Sequence, residues 1–128
     1  MATLIDQVKF NEQGLVPAIA QCVHTNQVLM MAWMNAEALE TTVSEQRAVY
    51  YSRSRQALWR KGESSGNIQK LHDIMLDCDG DTVLLRVEQI GGIACHTGRH
   101  DCFYKTWNGD DWQINQNVIK DPKSMYND

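Results

Sequence analysis

Residues 68–89 read IQKLHDIML-DCDGD-TVLLRVEQ, and this stretch decides the fold. Two apolar runs, Ile68–Leu76 and Thr82–Gln89, flank Cys78-Asp79-Gly80-Asp81. Asp-Gly between apolar runs is a strong hairpin signal, because glycine takes the positive φ that a tight turn needs. On the second run Val83, Leu85 and Val87 alternate with polar or outward positions, the period-two pattern of a strand with one buried face. The stretch therefore predicts a pair of antiparallel strands closed by an acidic turn.

Upstream, Val16–His24 and Val28–Met34 are apolar runs separated by Thr25-Asn26-Gln27, which predicts a second hairpin. Asn35 is placed to cap a helix, with Glu37 near the positive end of its dipole. Ala36, Leu39 and Val43 supply the stripe for a helix from Ala36 to about Gln46. Ala48–Ser52 reads as a strand, Arg53–Asn67 as a long loop broken by Gly62 and Gly66, and Cys102–Trp107 as a last strand, after Gly91-Gly92 ends the one before. The expectation is a compact single α+β domain, rich in short and mostly antiparallel strands, with one main helix. It is placed at 1–114, followed by a polar C-terminal tail at 115–128.

At 128 residues the chain can hide roughly two-thirds of the surface its unfolded form exposes, so disulfides are not needed. A composition 43% hydrophobic and 22% charged is globular rather than disordered. The net charge of −4 argues against a nucleic-acid polymer as partner, though not against a nucleotide held by a local basic cluster. No apolar run is long enough for a membrane helix, and the N-terminus lacks a signal-peptide core. The expectation is a cytoplasmic protein with no membrane partner, whose four cysteines are mostly reduced.

Three features carry chemistry. Asp77, Asp79 and Asp81 alternate through the turn. Crowded carboxylates repel, and a hard cation such as Mg²⁺ removes that cost, although for the acids alone a solvated turn is the better account. Cys78, Cys95 and Cys102 add soft donors beside these hard ones, and three thiolates leave open the fourth position that a catalytic zinc needs. His96, next to Cys95, is either a fourth ligand or a general acid–base, and His100 competes for both roles. Cys22 reads as a buried inert thiol, and His24 and His72 as structural. Arg53, Arg55, Arg60 and Lys61 crowd a loop that also holds Ser54, Trp59, Glu63 and Ser64. Such a Gly-punctuated basic segment suits phosphate, but its spacing is not that of a P-loop.

Several stretches together resemble the phosphoribosyl-AMP cyclohydrolase family: Met31–Asn35, Tyr51–Arg55 with Leu58–Asn67, Asp77–Asp81, Ala94–Gly98 and Cys102–Tyr104. The resemblance implies hydrolysis of the N1–C6 bond of phosphoribosyl-AMP in histidine biosynthesis, giving a formimino carboxamide ribotide. It implies zinc on Cys78, Cys95 and Cys102, and magnesium on Asp77, Asp79 and Asp81. It implies an intertwined homodimer whose zinc site is shared between subunits, and a monofunctional chain without the fused pyrophosphohydrolase of some members. His96 is expected to be catalytic, with Arg53, Ser54, Arg55, Trp59, Lys61, Glu63 and Ser64 binding the nucleotide. The rival from another class is a zinc-stabilised nucleotide-binding dimer without catalysis. A zinc nucleobase deaminase would need H-x-E and P-C-x-x-C, and neither occurs.

Overall fold

The computed structural model describes residues 2–126. Its centre is one sheet made from the two expected hairpins: β1 (Val16–Cys22) with β2 (Val28–Met34), and β5 (Gln69–Leu76) with β6 (Val83–Gln89). Each hairpin is antiparallel, and they join by parallel pairing of β1 with β6, giving the order β2-β1-β6-β5. The sequence argues each hairpin but not this junction, because both central strands are simply apolar and neither names its neighbour. Val16, Ala18 and Ala20 of β1 and Val83, Leu85 and Val87 of β6 are all fully buried, so the alternation aims one face at the core as expected.

Helix α2 (Ala36–Glu45) begins where Asn35 accepts the Ala38 N–H at 2.8 Å, satisfying one orphan donor of the first turn. Its buried stripe is Ala38, Leu39 and Thr42 rather than the expected Ala36, Leu39 and Val43. Thr42 can turn inward because its hydroxyl both donates to the Val49 carbonyl and accepts the Val49 N–H, so no polar atom is left bare. That clamp seats α2 against β3 (Val49–Ser52).

Residues 53–67 are not one long loop. They contain β4 (Ala57–Arg60), paired antiparallel with β3 from Val49–Arg60 to Ser52–Ala57. Leu58 and Trp59 pack against the core, and that burial converts a polar segment into a hairpin. The last expected strand is also shorter: β7 covers Lys105–Trp107 and pairs with a strand the reading missed, β8 (Trp112–Ile114). Cys102 leaves the strand because its N–H donates to the Leu29 carbonyl on β2 at 2.7 Å. Asn108, whose side chain accepts from the Asp110 and Asp111 N–H groups, makes the turn between β7 and β8.

Two short helices, α1 (Ala2–Asp6) and α3 (Pro122–Tyr126), complete the chain. Residues placed in a polar tail fold back onto the domain. The Gly98 carbonyl accepts from the Ile119 and Lys120 N–H groups, and Met125 is buried. Among the described residues no helix is long and apolar enough to cross a membrane.

Candidate active site

The basic hairpin β3–β4 sorts its cations by what they meet. Arg60 forks onto Glu45 of α2 at 2.9 and 2.7 Å, and Arg47 reaches Glu63 at 3.2 Å. Arg53 and Arg55, in the exposed turn, form no ion pair among the described residues. The turn is shaped by Ser52, whose hydroxyl accepts the Arg55 N–H and lies 3.3 Å from the Ser54 hydroxyl. The Arg53 guanidinium sits 5.1 Å from the centre of the Trp33 ring, a cation–π distance. Around that pair opens a cleft of about 700 Å³, walled by Trp33, Tyr51, Arg53 and Gln56, large enough for a nucleotide-sized ligand. A smaller hollow of about 360 Å³ lies among Arg55, Trp59, Glu63 and Ser64. Trp33 and Tyr51 are additions to the expected set. Both fall inside stretches that carried the family resemblance, and only the fold shows that they share a wall with Arg53.

Trp59 is half-buried, with its ring 5.1 Å from that of Tyr50, so it anchors the hairpin. Lys61 points away from solvent. It is buried, and its ammonium donates to the Ala94 carbonyl at the base of the cysteine loop. Glu63 and Ser64 are exposed.

The cysteine loop has no regular structure and is held by specific bonds. Ala94 and Cys95 donate their N–H groups to the carbonyls of His100 and Arg99 at 2.9 and 3.2 Å, closing the loop on itself. Gly98 sits at φ +86°, and a Cβ there would stand 1.9 Å from the Lys120 carbonyl oxygen, so only glycine fits. Asp101, buried, accepts from the Phe103 N–H, from Gln116 and from the His100 ring at 3.0 Å. His100 is thus bound to its own neighbour's carboxylate. His96 lies on the exposed side of the loop.

Cys95 and Cys102 come together closely enough for each sulfur to act on the other, and Thr97 donates to the Cys95 sulfur at 3.1 Å. Cys102 is an exposed residue, yet desolvation around its sulfur pushes the thiol up to about 12, with the adjacent Cys95 sulfur adding to it. Two soft donors held side by side suit a thiophilic cation, which would favour their thiolate forms and gather them in one ligand sphere. Cys78 does not join them within one chain. It is exposed on the acidic turn, and the one converging set of three or more metal-type donors among the described residues is Asp77, Asp79 and Asp81. Cys22 is half-buried rather than buried.

In that turn the three carboxylates offer oxygens within 4.8 Å of one another. Asp77 accepts the N–H groups of Asp81 and Thr82 at 2.9 and 3.2 Å. Desolvation in the crowded turn works to raise its pKa, but hydrogen bonds from Asp81 and the backbone prevail and hold it below the usual range. The Asp81 carboxyl goes the other way, raised by Asp79 and then Asp77 beside it. One of the crowded acids thus resists ionisation, the electrostatic condition that a bound divalent cation relieves.

A family model for phosphoribosyl-AMP cyclohydrolase matches residues 30–104. The chain is 59% identical over 126 residues to a phosphoribosyl-AMP cyclohydrolase of Pseudomonas paraeruginosa, covering 98% of this chain and 94% of that one. It is 58% identical over 126 residues to phosphoribosyl-AMP cyclohydrolase 1 of Pseudomonas fluorescens, with 98% and 97% covered. It is 57% identical over 122 residues to the corresponding protein of Stutzerimonas stutzeri, with 95% and 93% covered.

Proposed function

This chain belongs to the phosphoribosyl-AMP cyclohydrolase family, and from that premise we propose that it opens the adenine ring of phosphoribosyl-AMP by hydrolysis, as an enzyme of histidine biosynthesis. The observation that carries the reading is the Cys95–Cys102 pair, with His96 exposed beside it and the Arg53 cleft on the same small domain.

Cys95 and Cys102 of one subunit, completed by Cys78 from a second copy, would hold zinc, and Asp77, Asp79 and Asp81 would hold magnesium. When bound, zinc supplies the Lewis acidity that makes water nucleophilic near neutral pH, and magnesium supplies positive charge for a phosphorylated ligand. The remaining work falls to the chain's own groups. Arg53 and Arg55, exposed cations of the turn with no carboxylate partner among the described residues, meet phosphate, with the Ser54 and Ser64 hydroxyls as further donors. Trp33 and Tyr51 wall the cleft for the purine and ribose, while Trp59 and Glu63 line the smaller hollow beside Arg55. His96 accepts a proton at an imidazole nitrogen as the water oxygen bonds to C6, and returns a proton to N1 as the N1–C6 bond breaks.

A homodimer fits this reading. Cys78 lies on an exposed turn, and Phe103, Trp112, Ile114 and Ile119 leave apolar surface open around the segment that follows the cysteine loop. A second copy covering that surface would bury it and carry Cys78 toward Cys95 and Cys102.

The test is a spectrophotometric turnover assay with phosphoribosyl-AMP, run beside metal analysis and with Mg²⁺ present or withheld. Turnover that needs both metals is expected. A zinc-loaded, Mg²⁺-supplied protein that binds the nucleotide without opening it would overturn the enzymatic reading in favour of a binding dimer.

A further inference from the structure

Lys61 is 7% exposed, although charged side chains are seldom buried without a partner. Its ammonium donates to the Ala94 carbonyl and lies 5.9 Å from the centre of the Trp59 ring. No carboxylate stands within ion-pair distance of it among the described residues, whereas its neighbours Arg47 and Arg60 both have one. The groups that favour the charged ammonium are sulfurs, those of Cys102 and Cys95. Burial lowers the lysine's pKa, and the two sulfurs oppose that shift.

We propose that Lys61 is a positioning residue for the cysteine centre, its buried ammonium tying the basic hairpin to the cysteine loop and balancing the charge of a thiolate-bound dication. This rests on the zinc reading given above. Three thiolates and one dication sum to a single negative charge, and a net charge near the interior is unfavourable unless it is compensated. Lys61 supplies one positive charge from outside the ligand set, through a side chain whose carbonyl partner immediately precedes Cys95. Partners beyond the ligands commonly tune affinity in this way. The same bond joins Lys61, next to the nucleotide-facing segment, to the backbone beside the metal ligand, so the two halves of the site keep a fixed spacing.

Zinc affinity, measured by competition with a chromogenic chelator, separates charge from tether. Lys61→Gln keeps a donor without charge, Lys61→Met has neither, and Lys61→Arg keeps the charge. The neutral variants are expected to bind zinc about 10–100-fold more weakly, and the arginine variant to retain most of the affinity. In cobalt-substituted protein the sulfur-to-metal absorption band should move to lower energy in Lys61→Gln, because a nearby cation stabilises thiolate lone pairs. Wild-type affinity and an unshifted band in both neutral variants would overturn the proposal, and so would an equal loss in Lys61→Arg. Circular dichroism checks folding, and if Lys61→Met does not fold, the Gln–Arg comparison decides alone. Wild-type protein that takes up no zinc would sink the metal reading itself, an outcome read without any variant.

Discussion

The acidic turn and the cysteine loop both gather metal-type donors, yet they are built in opposite ways. Asp77, Asp79 and Asp81 are brought together by five consecutive residues and by backbone bonds mostly within the turn, with one from outside, the Lys9 N–H onto the Gly80 carbonyl. Cys95 and Cys102 meet only because distant parts of the chain hold their loop. Leu29 receives the Cys102 N–H, Lys61 grips Ala94, Gln116 bonds Asp101, and Lys120 closes on Gly98. The first cluster is largely local and solvent-facing, so the hairpin itself carries most of it. The second is a product of the whole fold, and damage far from the sulfurs should reach it.

The hardest test of that contrast is Cys95→Ser. Zinc content and turnover should both vanish, while the acidic turn keeps its response to Mg²⁺; full turnover from a zinc-free Cys95→Ser protein would break the assignment. Next in size, His96→Asn should lower kcat by about 10²–10⁴-fold with zinc retained, the usual loss for an acid–base group. A change confined to KM would make His96 a binding residue instead.

Gly98→Ala probes the long-range scaffold without touching a ligand. It should cost about 1–3 kcal/mol for forcing a side chain into positive φ, read from thermal unfolding, and weaken zinc retention as the Lys120 contact opens. An unchanged unfolding midpoint would show that the loop does not lean on residues 118–120. The smallest effect belongs to the local cluster. Asp81 has a raised folded pKa, so its ionisation is harder in the folded chain, and it subtracts stability as pH rises through that value. Asp77, depressed, does the reverse and loses its contribution as pH falls. Asp81→Asn should therefore slightly raise the unfolding midpoint in chelator near neutral pH, and blunt any stabilisation by Mg²⁺. A lower midpoint in chelator would mean that the turn's acids do not repel.

Legibility followed the same line between local and distant. Asn35 announced its helix, because a cap and the stripe it starts lie within a few residues of each other. Val83, Leu85 and Val87 announced their buried face through the two-residue period of a strand. By contrast β4 has the local composition of a loop, since Arg55, Arg60 and Lys61 outweigh Leu58 and Trp59, and only packing on the core tips the balance. The segment 115–128 has the composition of a polar tail, and the bonds that hold Gln116, Ile119, Lys120 and Met125 run to Asp101, Gly98 and Asn67, partners that no local window contains.

For the site, residue types and spacing were enough to single out the three aspartates, the cysteines other than Cys22 and the basic segment, because donor chemistry is a property of side chains and short distances along the chain. What tertiary structure alone decided is which cations remain free for a ligand and which are spent on Glu45 and Glu63. It also turned Lys61 inward, made Trp33 a neighbour of Arg53 across separate strands, and put Cys102 beside Cys95 but not Cys78. Those choices depend on how the sheet, the β3–β4 hairpin and the cysteine loop close on one another, and closure between elements leaves no period or motif in the sequence.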